Sequence, residues 1–314
     1  MPSIASYLII KPLSGGLVIF LAILYLIVNL MVLFNEKDVF LVKNYTQYLP
    51  QVLAVAKTAA DSIADIFHTK NYTTNIKSDN SPVTEADLRA HQIIERELLK
   101  IDPSLPVLSE ESSMVPYHER SQWPKYWLVD PLDGTKEFIR GTNDFTVNIA
   151  LIEDHNPVLG VVVAPMLKQY YWGLKGGQAF FQEGDLGDKG DKEPIVIQVN
   201  QTLRTPIKVA VSRYHHQKSK VWKSFIEKLG PYELIQCGSA LKICLVARGE
   251  ADLYPRFGET GEWDTAAGHC ILEAAGGKLV DLAGNTLKYN TKPTIINPSF
   301  LAIGSIELIN ICCG

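Results

Sequence analysis

The chain has 314 residues, with 30 Lys and Arg against 34 Asp and Glu and a formal charge of −4. That balance excludes a general binder of nucleic-acid polymers, which needs a basic face, so any polyanionic ligand must be met by a few placed cations. The five cysteines (Cys237, Cys244, Cys270, Cys312, Cys313) show no Cys-x-x-Cys spacing, which reads as reduced thiols in a cytosolic compartment. Cys312 and Cys313 fall in the last three residues, so a prenylation box, with its cysteine four from the end, is excluded.

The first element in chain order is an apolar run, Leu17 to Phe34, with Asn29 as its only strongly polar residue. Its length nearly matches the ~20 residues of a bilayer-spanning helix. It is long for a signal-peptide core, and no small-x-small cleavage site follows. The expectation is an N-terminal segment 1–44 carrying a hydrophobic helix and membrane anchor over 17–34. A translation start at Met31 would instead leave a cytoplasmic protein. Lys11 and the terminal amine nearly balance Lys37 and Lys43, so orientation is not set by charge. Reduced thiols favour placing the rest of the chain on the cytoplasmic side of the cell inner membrane. The Asn-x-Thr triplets at Asn44, Asn71 and Asn200 occur too readily by chance to weigh against that.

From Tyr48 to Phe67, apolar residues recur at helical spacing (Leu49, Val52, Leu53, Ala56, Ala59, Ala60, Ile63, Ile66). A polar loop over 71–82 follows, then a second amphipathic helix from Thr84 to about Ile101. Residues 145–181 read as a strand meander, with turns at His155-Asn156-Pro157 and Gly176-Gly177. The glycine-rich polar segment 183–193 reads as a long hairpin tip or a domain boundary. Beyond 195, strands and helices alternate. Strands are expected at 208–212, 232–236, 251–254 and from 279, and helices at 219–229, 240–248 and 265–275. This divides the chain into an α+β half over 45–194 and an α/β half over 195–314.

The chemistry concentrates in Trp127-Leu-Val-Asp130-Pro-Leu-Asp133-Gly-Thr135, with Leu108-Ser-Glu-Glu-Ser112 upstream and Glu262-Trp263-Asp264 far downstream. Two aspartates three apart on a tight turn can face one point together with the Leu132 carbonyl, and Glu110 supplies another carboxylate. An all-oxygen donor set suits a hard cation, Mg²⁺ above all, rather than zinc. Each residue also has a plain structural reading. Asp130 and Asp133 suit turns, Thr84-x-x-Asp87 suits a capping box, and Asp264 suits a helix N-cap. Gly134 and Thr135 suit either an ordinary helix start or amides offered to a phosphate.

These motifs resemble the Mg²⁺-dependent, lithium-sensitive phosphatases of the inositol monophosphatase superfamily, and within it the CysQ-type 3'(2'),5'-bisphosphate nucleotidases. Asp79-Asn-Ser-Pro-Val-Thr-Glu-Ala-Asp87, Asp133-Gly-Thr-Lys-Glu-Phe138, Phe145-Thr-Val-Asn-Ile-Ala-Leu151, Gly238-Ser-Ala-Leu-Lys242 and Leu253-Tyr-Pro-Arg-Phe-Gly258 carry the resemblance over about residues 50–300. It implies a layered αβαβα sandwich and two or three Mg²⁺ ions. It makes Glu110, Asp130, Asp133, Asp264 and the Leu132 carbonyl metal ligands, with Glu111 behind them. Asp87 and Thr135 become the catalytic pair. Substrate contacts fall on Glu110, Leu132, Asp133, Gly134, Thr135, Ser212, His215, Gly238, Ser239, Lys242, Arg256 and Asp264, with Lys242 and Arg256 as cations for a second phosphate. Tyr214 and the extra His216 depart from the family's usual pattern. The implied reaction is hydrolysis of the 3'-phosphate of adenosine 3',5'-bisphosphate to AMP, and of its sulfated analogue, in sulfur assimilation and nucleotide recycling. An inositol monophosphatase is the alternative enzyme, and a non-catalytic membrane-tethered nucleotide- or metal-binding protein the alternative of another class. Neither the motifs nor the resemblance fixes an oligomeric state.

Overall fold

Helical periodicity in the first half becomes two paired helices. The structure, a computed structural model, describes residues 45–77, 81–184, 186, 192–213 and 220–313. The apolar run 17–34 and its expected helix therefore lie outside the described residues. Among those described, no helix is long and apolar enough to cross a membrane. Helix α1 (Leu49–Thr69) buries the stripe that includes Val52, Ala56, Ala59 and Ile63. Helix α2 (Glu85–Ile101) starts from Thr84, whose hydroxyl accepts the Ala86 N–H at 3.2 Å. The expected loop 71–82 holds part of a small hairpin, β1 (Thr74–Ile76) against β2 (Pro82–Thr84). Every β1 side chain is exposed, so no apolar alternation could announce it.

Both helices cover one face of a seven-stranded sheet whose order follows the chain. Its strands are β3 (Val107–Ser109), β4 (Lys125–Asp133), β5 (Thr146–Glu153), β6 (Asn156–Ala164), β7 (Gln169–Leu174), β8 (Ala179–Glu183) and β9 (Ile195–Ile197). All neighbours are antiparallel except β3 and β4. The expected meander is therefore β5 to β8. Segment 183–193 joins β8 to β9, so the division expected at 194 falls inside this sheet. Strand side chains point alternately to two cores. Val147, Ile149 and Leu151 face α1 and α2, whereas Ala150 and Ile152 face the opposite layer.

That opposite layer holds α6 (Leu241–Ala247) and α7 (Glu262–Ala274), lying between the first sheet and a second. The second sheet has order β11 (Tyr232–Gln236), β10 (Ile207–Val211), β12 (Leu253–Arg256), β14 (Phe300–Ile303), β13 (Lys278–Asp281). Its first three strands run parallel, as strand–helix alternation requires. Helices α5 (Lys220–Ile226) and α8 (Ile306–Cys313) close its outer face. The five layers form the αβαβα sandwich that the resemblance implied. Gly160 on β6 lets α7 lie directly on the sheet, because a Cβ there would sit 2.3 Å from the Ala267 carbonyl oxygen. The short helix α3 (Tyr117–Arg120) and α4 (Thr135–Arg140) link strands of the first sheet.

Candidate metal centre and phosphate pocket

The turn expected at Asp130–Asp133 is instead the end of β4, interrupted by a bulge. Asp130 pairs with Asn148 and Asp133 with Thr146, so three steps on β4 oppose two on β5. In a regular strand, residues three apart face opposite sides; one extra residue returns both aspartates to the same side. The Asp130 Oδ1 accepts the Leu132 N–H at 3.1 Å, so the turn-forming reading holds inside the strand. Gly134 follows with φ 98°, the left-handed conformation that its missing side chain permits.

Ligand oxygens of Glu110, Asp130 and Asp264 lie within 4.8 Å of one another. Asp264 arrives on the first turn of α7, and its Oδ2 accepts the Gly261 N–H at 2.9 Å. The helix begins at Glu262 rather than at 265, which makes Asp264 its third residue and not its N-cap. Burial, then Asp133 and Glu110 beside it, pushes Asp264 up to about 8. Burial likewise drives Asp130 far above the usual carboxylate range, with Glu110, Asp133 and Asp264 adding to it. Asp133 is pushed up to about 6 by burial, against the pull of Lys242. Its Oδ2 is held by the Ala240 N–H at 2.6 Å and by Asn148 Nδ2 at 3.3 Å. Carboxylates this close in a dry setting cannot all ionise without a cation. The donor set is all oxygen and fits a hard divalent ion such as Mg²⁺.

Asp87 closes the expected helix cap and also reaches Thr135. Its Oδ2 accepts the Thr84 N–H at 2.8 Å and the Thr84 hydroxyl at 2.5 Å, closing the capping box of α2. Its Oδ1 lies 2.9 Å from Thr135 Oγ1, which is also 3.3 Å from the Leu132 carbonyl oxygen. A hydroxyl has one proton, and the nearer, ionisable Asp87 takes it, leaving Thr135 lone pairs to accept another. Burial raises Asp87 above the usual carboxylate range, while the Thr84 and Thr135 bonds oppose that rise.

Beside this pair, a cleft of about 170 Å³ is lined by Asp133, Gly134, Ser212, Ser239, Lys242, Arg256 and Asp264, all expected substrate contacts. Gly238 lies just behind it, its N–H donated to Asp144 Oδ2 at 3.0 Å. His215 lies outside the described residues. Lys242 Nζ donates to the Ser239 carbonyl at 2.7 Å and sits 5.3 Å from the Tyr254 ring centre. Arg256 donates to the Gly258 and Glu259 carbonyls at 3.2 and 2.9 Å. Both expected phosphate cations are thus already engaged by the protein. Lys136 also lines the cleft, and its side chain has no hydrogen bond or ion pair to a described residue. The Asp-Gly-Thr-Lys string contained it, but sequence reading gave it no role. Lys77 was missed as well: its ammonium lies 2.9 Å from Glu110 Oε1 and 2.6 Å from Glu111 Oε1. Nothing in the polar loop around Lys77 marked it. Asn148 was missed because it reads as one polar residue in a strand.

A five-layer chain of alternating helices and sheets, with a carboxylate cluster beside a cleft lined from both sheets, has the architecture of the layered phosphatases. The inositol monophosphatase family pattern matches residues 44–309, and this chain belongs to that family. It is 45% identical over 253 residues to a Salmonella typhimurium protein named 3'(2'),5'-bisphosphate nucleotidase CysQ, covering 80% of this chain and 98% of that one. The Escherichia coli K12 protein of the same name is 44% identical over the same span. Among solved structures, CysQ from Bacteroides thetaiotaomicron superposes with TM-score 0.69 at 38% identity, covering 81% of this chain and 96% of that one.

Proposed function

We propose that this chain is a Mg²⁺-dependent phosphomonoesterase that hydrolyses the 3'-phosphate of adenosine 3',5'-bisphosphate, giving AMP and phosphate, and that it also accepts the sulfated analogue. The observation that carries the reading is the Asp87–Thr135 pair, at 2.9 Å, standing against the buried carboxylates on β4. The names borne by the 44–45% identical relatives point to the same substrate.

Glu110, Asp130, Asp133, Asp264 and the Leu132 carbonyl would hold two or three Mg²⁺ ions. Bound Mg²⁺ supplies Lewis-acid stabilisation of charge on the transferring phosphoryl group. Thr135 orients a water in line with the scissile bond and takes its proton, passing its own to Asp87. The water oxygen forms the new bond to phosphorus as the bond to the 3'-oxygen breaks, and that oxygen takes a proton from solvent. Gly134 leaves backbone room for the phosphate. Ser212, Gly238, Ser239, Lys242 and Arg256 surround the remainder of the nucleotide, and the resemblance adds His215 to its contacts. We assign residues 17–34 to a membrane anchor on the strength of their apolar composition, with the catalytic domain on the cytoplasmic side.

The test is phosphate release by the full chain from adenosine 3',5'-bisphosphate, AMP and inositol 1-phosphate, with Mg²⁺ or EDTA, and with Asp133→Asn as control. Selective Mg²⁺-dependent release from the bisphosphate, lost in Asp133→Asn, is expected. Preference for inositol 1-phosphate would sink the substrate assignment and leave the metal site standing. No release from any of the three would refute the phosphatase reading for these substrates.

A further inference from the structure

Glu262, the first residue of α7, is 0% exposed. Its Oε1 lies 2.9 Å from Lys292 Nζ, and its Oε2 accepts the Asn290 N–H at 2.7 Å. Its own N–H donates to the Ile295 carbonyl at 2.9 Å. Asn290, also 0% exposed, donates from Nδ2 to the Arg120 carbonyl at 2.6 Å and accepts from the Arg120 guanidinium. Arg120 reaches on to the Pro293 carbonyl at 2.6 Å. Residues from three separate stretches (Arg120, Glu262, and 290–295) are thereby tied to one helical turn.

A buried ion pair of this kind is poor evidence of added stability, because desolvation offsets much of the attraction. What the network does fix is position. Asp264 lies two residues beyond Glu262, and its carboxylate stands with those of Glu110 and Asp130. When these groups ionise to receive a cation, like charges meet, and unwinding the first turn of α7 would let Asp264 swing outward. A helix end is where such fraying is cheapest, since its backbone groups lack intrahelical partners. The bonds to Lys292, Asn290 and Ile295 oppose that motion from the far side of the turn.

We propose that Glu262, held by Lys292 and by the Asn290–Arg120 pair, is a positioning residue that pins the first turn of α7 and so keeps Asp264 in the centre that binds a divalent cation. The inference rests on Asp264 being a metal ligand. The experiment is calorimetric titration of Mg²⁺ itself into the full chain, for the parent, Glu262→Ala, Glu262→Gln and Lys292→Met. Ile63→Ala, a core truncation in α1, serves as the control for a general loss of stability. Glu262→Ala is expected to weaken Mg²⁺ binding about tenfold, the lower end of what outer-sphere partners contribute. Glu262→Gln, whose amide oxygen still accepts the Asn290 N–H, should recover most of it. In turnover, Glu262→Ala should need more Mg²⁺ for half-maximal rate while kcat at saturating Mg²⁺ stays near the parent value. If Glu262→Ala does not fold, Lys292→Met, which leaves the Glu262 carboxylate buried without its cation but keeps the Asn290 bond, is expected to weaken Mg²⁺ binding in the same direction by a smaller factor. Unchanged Mg²⁺ affinity in both variants, or an equal loss in Ile63→Ala, would overturn the proposal. A parent that takes up no Mg²⁺ would overturn the metal assignment, and this proposal with it.

Discussion

The carboxylate centre should make the metal-free protein less stable as pH rises through the neutral range. Asp264 moves from 3.8 to about 8 and Asp133 from 3.8 to about 6 on folding, burial being the larger cause in both. Their folded-state values are raised, so between 3.8 and those values the folded chain keeps protons that the unfolded chain releases. Each pH unit in that window removes about 1.4 kcal/mol per group from the stability of the metal-free protein. From pH 5 to 7, Asp264 alone accounts for roughly 3 kcal/mol, and Asp133 adds about 1 kcal/mol before its window closes. At roughly 2 °C per kcal/mol for a chain of this size, Tm should fall by about 5–8 °C. Mg²⁺ requires ionised ligands, so its binding releases protons and strengthens as pH rises. Thermal melts at pH 5, 6, 7 and 8 in EDTA or excess Mg²⁺ test this. The EDTA curve should decline and the gap between the two should widen. Asp264→Asn should remove the larger part of the decline. An identical pH slope in the parent and in Asp264→Asn would refute the reasoning.

Two further outcomes follow from the geometry. Asp87→Asn should lower kcat by about 10²–10⁴ with little change in KM or Mg²⁺ affinity, and should cost about 1 kcal/mol from the weakened cap of α2. Thr135→Val should match it, and the double variant should be no worse than either, since the two act as one unit; steady-state kinetics decides. Lys136→Met should raise KM for adenosine 3',5'-bisphosphate about tenfold, the loss of one charge-assisted contact. KM for 3'-AMP, which has no second phosphate, should stay as it was. An equal rise for both substrates would place Lys136 at the scissile phosphate instead.

Much of the fold was legible because it is written in periodicity. The stripe from Leu49 to Ile66 and the runs from Phe145 to Phe181 became α1 and β5 to β8 with small boundary changes. The elements that escaped detection lack an apolar signal of their own. Strand β1 is wholly exposed, and α3 is a single turn whose Arg120 is buried through hydrogen bonds. The gathering of Glu110, Asp130 and Asp264 was legible as residue types, since carboxylates in such a pattern admit few chemistries. Its geometry was not. A pattern cannot reveal that β4 carries its bulge between Asp130 and Asp133, because the pairing with Asn148 and Thr146 is a property of two strands. Nor can it reveal that Lys77, more than thirty residues from Glu110, lies against it.

The cleft draws residues from both sheets. Strand β4 of the first sheet brings Asp130 and Asp133, and the α7 turn brings Asp264. The cleft continues over Tyr254 and Arg256 of β12 and Phe300 of β14 in the second sheet. Asp133 spans the junction in one carboxylate. It projects from β4, and its Oδ2 accepts the Ala240 N–H immediately before α6. Asn148 and Thr146 on β5 extend this line, with Thr146 Oγ1 at 2.9 Å from Asn148 Oδ1 and 3.3 Å from Ser239 Oγ. A shift of α6 against the first sheet would therefore move the Asp133 carboxylate and Ser239 together. In the proposed reading, one hydrogen-bonded line thus ties an expected metal ligand to an expected substrate contact.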